Sequence, residues 1–554
     1  MLDRPEAATY AVRAGLGGWD WAVLAGYFAL LVGMGVFLAF RARRRTSTSG
    51  YFLGGGQMPV WAVAISFLAT AQSAATVLGV PEDAYRGDLR YLSTNIGGIL
   101  AAVILAWWFI PAYYRLGVTT PYQLLEHRFG PGAKLATSAA YLIGRVLASG
   151  ARVFIGSVPV AMAIFGTTNG SVDPGHVAVA VVIFMIFGAL FTLAGGLTSV
   201  IWTDVVQVAV YVGGALLVIV VLWRGIGMDT GAVLDAVRQG APDGGSKLRI
   251  FSLGFGGEDG FRFSEPYTLV TACTGWTLLM LAAYGTDQDL VQRLLATRDS
   301  RRGGWSVIGG VLMGIPTVMV FAVIGVLLWV YYHAPGRSPP AYVEGDTGEV
   351  FLKFTLREMP AGMAGLVIAG IMAAGPAGIN ASLNSMATTF VSDFYRPLRP
   401  GRPDAHYVRA GRWATAGWAA ALGVFALVCI AWKQANNETI LPFVLGVMGF
   451  AYAGMLGVFL TALFTRRGTT ASAVAALVVG FVAVTAMQPA LIRLWWPGEL
   501  LARLLPGMSA SDLPAPELAA PWRLAIGTIL STAVAAFPAG RSRAVPASTP
   551  PPGA

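Results

Sequence analysis

Three carboxylates stand in otherwise apolar sequence: Asp204, in Trp202-Thr203-Asp204-Val205-Val206-Gln207, and Asp287 and Asp289, in Tyr284-Gly285-Thr286-Asp287-Gln288-Asp289-Leu290. Such groups are costly in apolar surroundings and mark sites for cations, solutes or protons by default. Each also has a plainer reading. Asp289 is expected to face Arg293 at an interface. Asp204 is either a cap stabilised at a helix N-terminus or a second carboxylate turned to a cation site. Asp287 is read as functional.

Two further segments carry polar atoms where hydrocarbon is expected. Thr70, Gln72, Ser73 and Thr76 interrupt the run that begins at Ala64. They allow local unwinding that frees carbonyl oxygens for a hard cation, or they serve close helix packing, and both readings stand. In Ala374-Gly375-Pro376-Ala377-Gly378-Ile379-Asn380-Ala381-Ser382-Leu383-Asn384-Ser385, Pro376 removes a backbone donor and frees a carbonyl. Asn380, Ser382, Asn384 and Ser385 give this helix too many polar atoms for a lipid face, so it faces the protein interior. Gly54-Gly55-Gly56 lacks the Lys-Ser/Thr of a phosphate loop. The four histidines and two cysteines have no metal-ligand or disulfide spacing, and no catalytic constellation supports an enzyme.

The elements that hold these residues are membrane helices. The chain of 554 residues is 56% hydrophobic and 12% charged, where a soluble domain carries roughly 25% charged residues. A net charge of +10 sits in short Arg clusters between apolar spans, which reads as cytoplasmic loops rather than a nucleic-acid surface. Helices of about 20 residues are the default crossing element. Thirteen are expected, near 19–40, 58–79, 91–114, 134–165, 176–197, 200–223, 266–291, 305–332, 361–394, 412–432, 439–464, 470–492 and 521–538. The first is followed by Arg41-Ala42-Arg43-Arg44-Arg45 and is a retained span rather than a signal peptide. Placing that cluster in the cytoplasm puts the N-terminus outside and the C-terminus inside. The fold class is an all-α polytopic membrane protein.

Helix parity also permits an inverted repeat. The division is then 1–57 with a peripheral first helix, 58–224 as one repeat, 225–265 as an extracytoplasmic loop, 266–465 as the second repeat, 466–538 as two peripheral helices and 539–554 as a disordered tail. Sites in such folds lie at broken helices, so the first helix of each block is where to look.

The ordered set Ser49-Gly50-Tyr51-Phe52-Leu53-Gly54-Gly55, Thr119-Thr120-Pro121-Tyr122-Gln123 with Glu126, Gly195-Gly196-Leu197 through Asp204 and Gln207, Tyr284 through Ala296, and Leu383-Asn384-Ser385 resembles the sodium:solute symporter family. The resemblance implies a LeuT-type five-plus-five inverted-repeat fold in the inner (cell) membrane, with alternating access and sodium-driven uptake of a small solute, without other cofactor or protein partner. It implies a cation site of carbonyls at Ala69, Gln72 and Ala374, with Asp204 beside it. The family's two hydroxyl ligands fall on Ala377 and Gly378, so both are replaced. Ser382 or Asn380 then compensates, or the ion binds elsewhere, or coupling is to H⁺ or to no ion. Solute positions fall on Ala71, Ala75, Thr76 and Asn95, with Asp287 and Gln288 on the second broken helix. With so few polar groups there, a sugar would lose most of its hydrogen bonds. A transport-inactive sensor of the same fold is the further alternative.

Overall fold

The structure is a computed structural model that describes residues 15–42, 48–72, 74–166, 172–255, 260–334, 337–340, 343, 349–435, 440–496 and 516–537. The expected tail at 539–554 and Ser73 lie outside the described residues.

A helix or a broken pair stands at each of the thirteen expected positions. They are α1 (Gly18–Ala42), α2 (Val60–Ala71) with α3 (Ala74–Arg86), α4 (Arg90–Leu116), α5 (Pro131–Phe165), α6 (Pro174–Ile186), α7 (Gly196–Ile226), α8 (Leu269–Gly285) with α9 (Gln288–Leu294), α10 (Ser300–His333), α11 (Met363–Leu398), α12 (Asp404–Ala435), α13 (Ile440–Phe464), α14 (Thr470–Ala486) and α15 (Ala520–Ala536). By length and composition seven of them can cross a bilayer alone, and nine when each bent pair counts as one span. No strand occurs among the described residues; Phe255 and Phe261 make an isolated bridge.

Both helices named as the place to look for a break are broken. The first pair is bent by 60° and the second by 66°. α10 packs along both halves of the first pair, α8 lies against α4, and α11 runs beside α6–α7, α5 and both halves of the first pair.

Hydrocarbon offers no hydrophobic drive between helices already in a bilayer, so small residues that let backbones approach do much of the packing. A Cβ on Gly325 of α10 would sit 2.2 Å from the carbonyl oxygen of Pro81, and one on Gly480 of α14 would sit 2.4 Å from the Cα of Gly454 of α13. Gly196 turns the chain between α6 and α7 at φ 61°, ψ −166°, a conformation open to glycine at little cost.

The first helix is mostly exposed along its length, yet it is pinned at one end. Asp20 is buried and accepts hydrogen bonds from the backbone N–H groups of Gly362 (2.7 Å) and Gly365 (2.9 Å). A carboxylate there satisfies donors that the start of α11 leaves free and favours its macrodipole.

On the connection after α7, Lys247 is buried and its Nζ donates to the carbonyls of Ala84 (3.2 Å), Tyr85 (2.8 Å) and Gly87 (2.7 Å) at the end of α3. It also lies 4.9 Å from the Trp329 ring centroid. Burial pushes its ammonium down to about 8, against the opposing pull of the Asp88 charge.

Candidate functional site

At the first break α2 stops at Ala71, and Gln72 is extended at φ −89°, ψ 148°. A helix that ends here leaves carbonyls of its last turn without helical donors; Ala69 belongs to that turn, and the Gln72 carbonyl lies beyond it. Thr70 folds its hydroxyl back onto the Ser66 carbonyl at 2.8 Å.

A cavity of about 80 Å³ opens at this break, lined by Ala71, Gln72, Thr76, Asn95, Tyr284 and Gly314 among others. None of its lining residues is charged. Most of its polar groups are already engaged: Asn95 Nδ2 donates to the Leu92 carbonyl (2.9 Å) and Thr94 Oγ1 to that of Tyr91 (2.8 Å). Gln72 differs. Its Nε2 reaches the Gly314 carbonyl at 3.4 Å, while its Oε1 is buried without a hydrogen-bond partner. A buried amide oxygen left unpaired costs stability until something donates to it.

The second break is largely filled where the first is open, with a cavity of only about 10 Å³ between Tyr141, Arg145, Asp287 and Tyr452. Thr286 ends α8, and Asp287 caps α9, its Oδ1 accepting from the Asp289 N–H at 3.1 Å. Asp287 Oδ2 takes an ion pair from Arg145 Nη2 (2.5 Å) and a hydrogen bond from the Tyr452 hydroxyl (2.7 Å). The same Arg145 nitrogen reaches Asp289 Oδ2 at 2.8 Å. Asp289 also accepts from Tyr141 (2.6 Å), Ser382 (2.7 Å) and Ser385. All of these side chains are buried.

Asp289 therefore departs from its expected place. It is fully buried rather than interfacial, and its carboxylate meets Arg145; Arg293 touches only its backbone carbonyl, at 2.8 Å. Asp204 departs too. It lies two turns beyond the Gly196 bend, so it caps nothing. Its Oδ2 accepts from Ser66 Oγ (2.5 Å) and pairs with Arg293 Nη2 (3.3 Å), and Arg293 Nε donates to Ser66 Oγ (2.9 Å). Asp204 Oδ1 is buried without a partner.

Among the expected solute positions, Ala71, Thr76 and Asn95 line the cavity. The Ala75 side chain lies outside the described residues. Asp287 and Gln288 do not line it; Gln288 turns its Nε2 to the Thr119 carbonyl at 3.1 Å. Of the ion positions, Ala69 and Ala374 are buried, and the Ala377 side chain lies outside the described residues. Gly378 has nothing within 4 Å of where a Cβ would stand, and its carbonyl accepts from Ser382 Oγ at 3.0 Å. Helix α11 runs through Pro376 without ending. Sequence reasoning passed over Arg145, Tyr141, Tyr452 and Ser66. An arginine in the middle of an apolar span was the available signal for the first.

Two membrane helices broken at matching places in successive five-span blocks define a LeuT-type secondary transporter. Solved structures carry the same fold. A Na⁺-coupled sialic acid symporter in a substrate-bound outward-open state matches with a TM-score of 0.74 at 24% identity, covering 95% of this chain and 99% of that one. Mhp1, a nucleobase-cation-symport-1 family transporter, matches at 0.50 with 14% identity, covering 88% and 94%. The chain belongs to the sodium:solute symporter family, whose model matches residues 51–480. It is similar to the sodium/sialic acid symporter SiaT of Proteus mirabilis, 28% identical over 85% of this chain and 89% of the relative. It is also 28% identical to the human sodium/iodide cotransporter, over 91% of this chain and 75% of that protein. The chain is thus an integral membrane transporter and not an enzyme.

Proposed function

We propose that the chain is a sodium-coupled symporter that moves a small organic solute by alternating access, binding it at the break between α2 and α3. The observation that carries this is an uncharged cavity at that break lined by Gln72, Ala71, Thr76 and Asn95, where the Gln72 Oε1 is buried without a partner. An acceptor with no donor favours a solute that brings one, and walls without charge favour a neutral solute or the neutral part of a larger one. Asp287 and Gln288 are positioning residues in this reading, since Arg145 and Tyr452 already occupy the Asp287 carboxylate.

Sodium binds, in this reading, to the carbonyls of Ala69, Gln72 and Ala374 between α2 and α11, with Asp204 behind them. Na⁺ needs several oxygen ligands, and Ala377 and Gly378 bring no hydroxyl. Support for a working site comes from the family and from sodium-coupled relatives. Ser382 is the neighbouring hydroxyl, though it is engaged with Asp289, Gly378 and Ser149. The protein lies in the cell membrane with its N-terminus outside and its C-terminus in the cytoplasm. The two repeats are 58–224 and 266–465, flanked by the peripheral segments 1–57 and 466–538 around the loop 225–265.

The test is thermal stabilisation of purified protein by a panel of sialic acid, lactate, iodide, proline, galactose and pantothenate, each in NaCl and in KCl. A solute that stabilises more strongly in sodium, and not in Gln72→Leu, supports the reading. Stabilisation that is indifferent both to the cation and to Gln72 contradicts it.

A further inference from the structure

A second, larger cavity lies away from the transport pathway, between the first half of α1 and helices α5, α6 and α11. Its volume is about 290 Å³. Leu24, Phe28 and Leu31 of α1, Ile164 of α5, Phe184 of α6 and Met372 of α11 form most of its wall, and apart from Trp21 and Tyr27 every lining side chain is hydrocarbon or thioether.

Three observations say what fills it. Its rim runs directly into the lipid-facing surface, because Trp21 and Ile164 line the cavity and are themselves exposed, as are Val182 and Ile186 on the neighbouring turns of α6. In a spanning protein the solvent at that rim is acyl chain. Exposed Trp19 and Trp21 open α1, as aromatic residues do at the level of lipid headgroups, so the slot runs from an interface toward mid-membrane. Protein interiors are close-packed, and voids of this size lose dispersion contacts along their whole lining. At about 30 Å³ for each water-sized group, the slot takes roughly ten such groups, and hence a comparable run of methylenes.

The closed end of the slot touches the transport machinery. Phe184 packs so tightly on α11 that a Cβ on Gly375 would fall 2.2 Å from its ring, and one turn further Gly188 meets Ile379. Gly375 adjoins Ala374. Whatever fills the slot therefore presses, through Phe184, on the stretch of α11 assigned above to the cation.

We propose that this cavity binds one acyl chain of a phospholipid from the leaflet in which α1 begins, and that the bound chain steadies α11 around Gly375. The lipid-binding half does not depend on the transport reading, because it is read without any solute or gradient.

The full chain is reconstituted into phosphatidylethanolamine vesicles containing a trace of the same lipid with a diazirine in its acyl chain, and labelled peptides are mapped after photolysis. Labelling of 21–31 and 160–164 is expected to exceed that of lipid-facing α12 several-fold. Ala163→Trp, which fills the slot, is expected to reduce it at least fivefold while leaving α12 labelling unchanged. Equal labelling of α1 and α12 in the unmodified protein overturns the proposal even if the tryptophan variant does not fold. Labelling that persists in a folded Ala163→Trp protein overturns it too. For the second half, amide hydrogen exchange at 372–380 is expected to slow when delipidated protein regains phosphatidylethanolamine; unchanged exchange there refutes the link to α11.

Discussion

The two broken helices occupy equivalent positions in their blocks and have opposite interiors. The break at Gln72 is uncharged, faces a cavity and leaves a buried acceptor unpaired. The break at Asp287 is filled by an arginine, two carboxylates, two tyrosines and two serines that bond to one another, although Arg145 Nη1 and Gln288 Oε1 stay buried without a partner. The same backbone device thus serves two ends. An interruption whose charges pair with one another is a fixed joint. An interruption that opens on an uncharged cavity is a place for a ligand to complete. Binding is to be sought where there is room for a solute, and charge alone is a poor guide, since the most heavily charged break is the filled one.

The largest expected effect comes from unmatching the closed joint. Arg145→Met leaves Asp287 and Asp289 buried without their cation, and breaking such a pair costs about 3–5 kcal/mol. Loss of folded protein in fluorescence-detected size exclusion is the predicted outcome, with Arg145→Lys partly restored; a stable Arg145→Met protein would break the contrast between the two joints.

At the open break the expectation reverses, with function hit and stability spared. Gln72→Leu removes an acceptor that has no internal donor together with one long bond from Nε2 to the Gly314 carbonyl, so the unfolding temperature should fall only a little. Its loss should weaken solute binding by about 1–2 kcal/mol, a ~5- to 30-fold rise in KM. A destabilised variant with unaltered KM would assign Gln72 to structure instead.

Gly378→Ser sharpens the account of the ion. There is room for the added Cβ, and a hydroxyl returns where the resemblance to the family implies one. Apparent sodium affinity, read from the sodium dependence of uptake, should rise several-fold; no change would remove position 378 from the cation's surroundings.

The smallest effect concerns the clamp on the far end of α3. The Lys247 ammonium titrates near 8 in the folded chain against about 10.4 when unfolded. Between these values the unfolded chain holds a proton that the folded chain has shed, so this residue's contribution makes stability rise with pH from about 8 to 10.4 and leaves it flat below. Unfolding temperatures measured across that window should show a shallower slope in Lys247→Met than in the unmodified protein.

The fold was largely legible in the sequence, because hydrophobic run length sets helix length in a bilayer and the positions of all thirteen elements follow from it. The breaks were legible too, from small and polar residues at 70–76 and from Gly285 before Asp287. The interior of the second break was not. Arg145, Tyr141 and Tyr452 lie about 140 or more residues from their carboxylates along the chain, and apolar patterning says nothing about which distant helix answers a buried charge. Asp289 and Arg293 show the same limit: helical spacing brings them to one face, yet the carboxylate turns to Arg145 and the guanidinium to Asp204. For Asp204, position after a glycine turn suggested a cap, and only the observed bend at Gly196 puts it two turns inside a helix.

Gradient-driven accumulation tests the central claim most directly. The protein is reconstituted in vesicles, and the solute selected by thermal stabilisation is followed with sodium outside only, with sodium equal on both sides, and with potassium in its place. Accumulation above the external concentration in the first condition alone, and its loss in Gln72→Leu, is the predicted result. Accumulation of equal extent under all three conditions would contradict sodium coupling, and equal accumulation by Gln72→Leu would contradict binding at the first break.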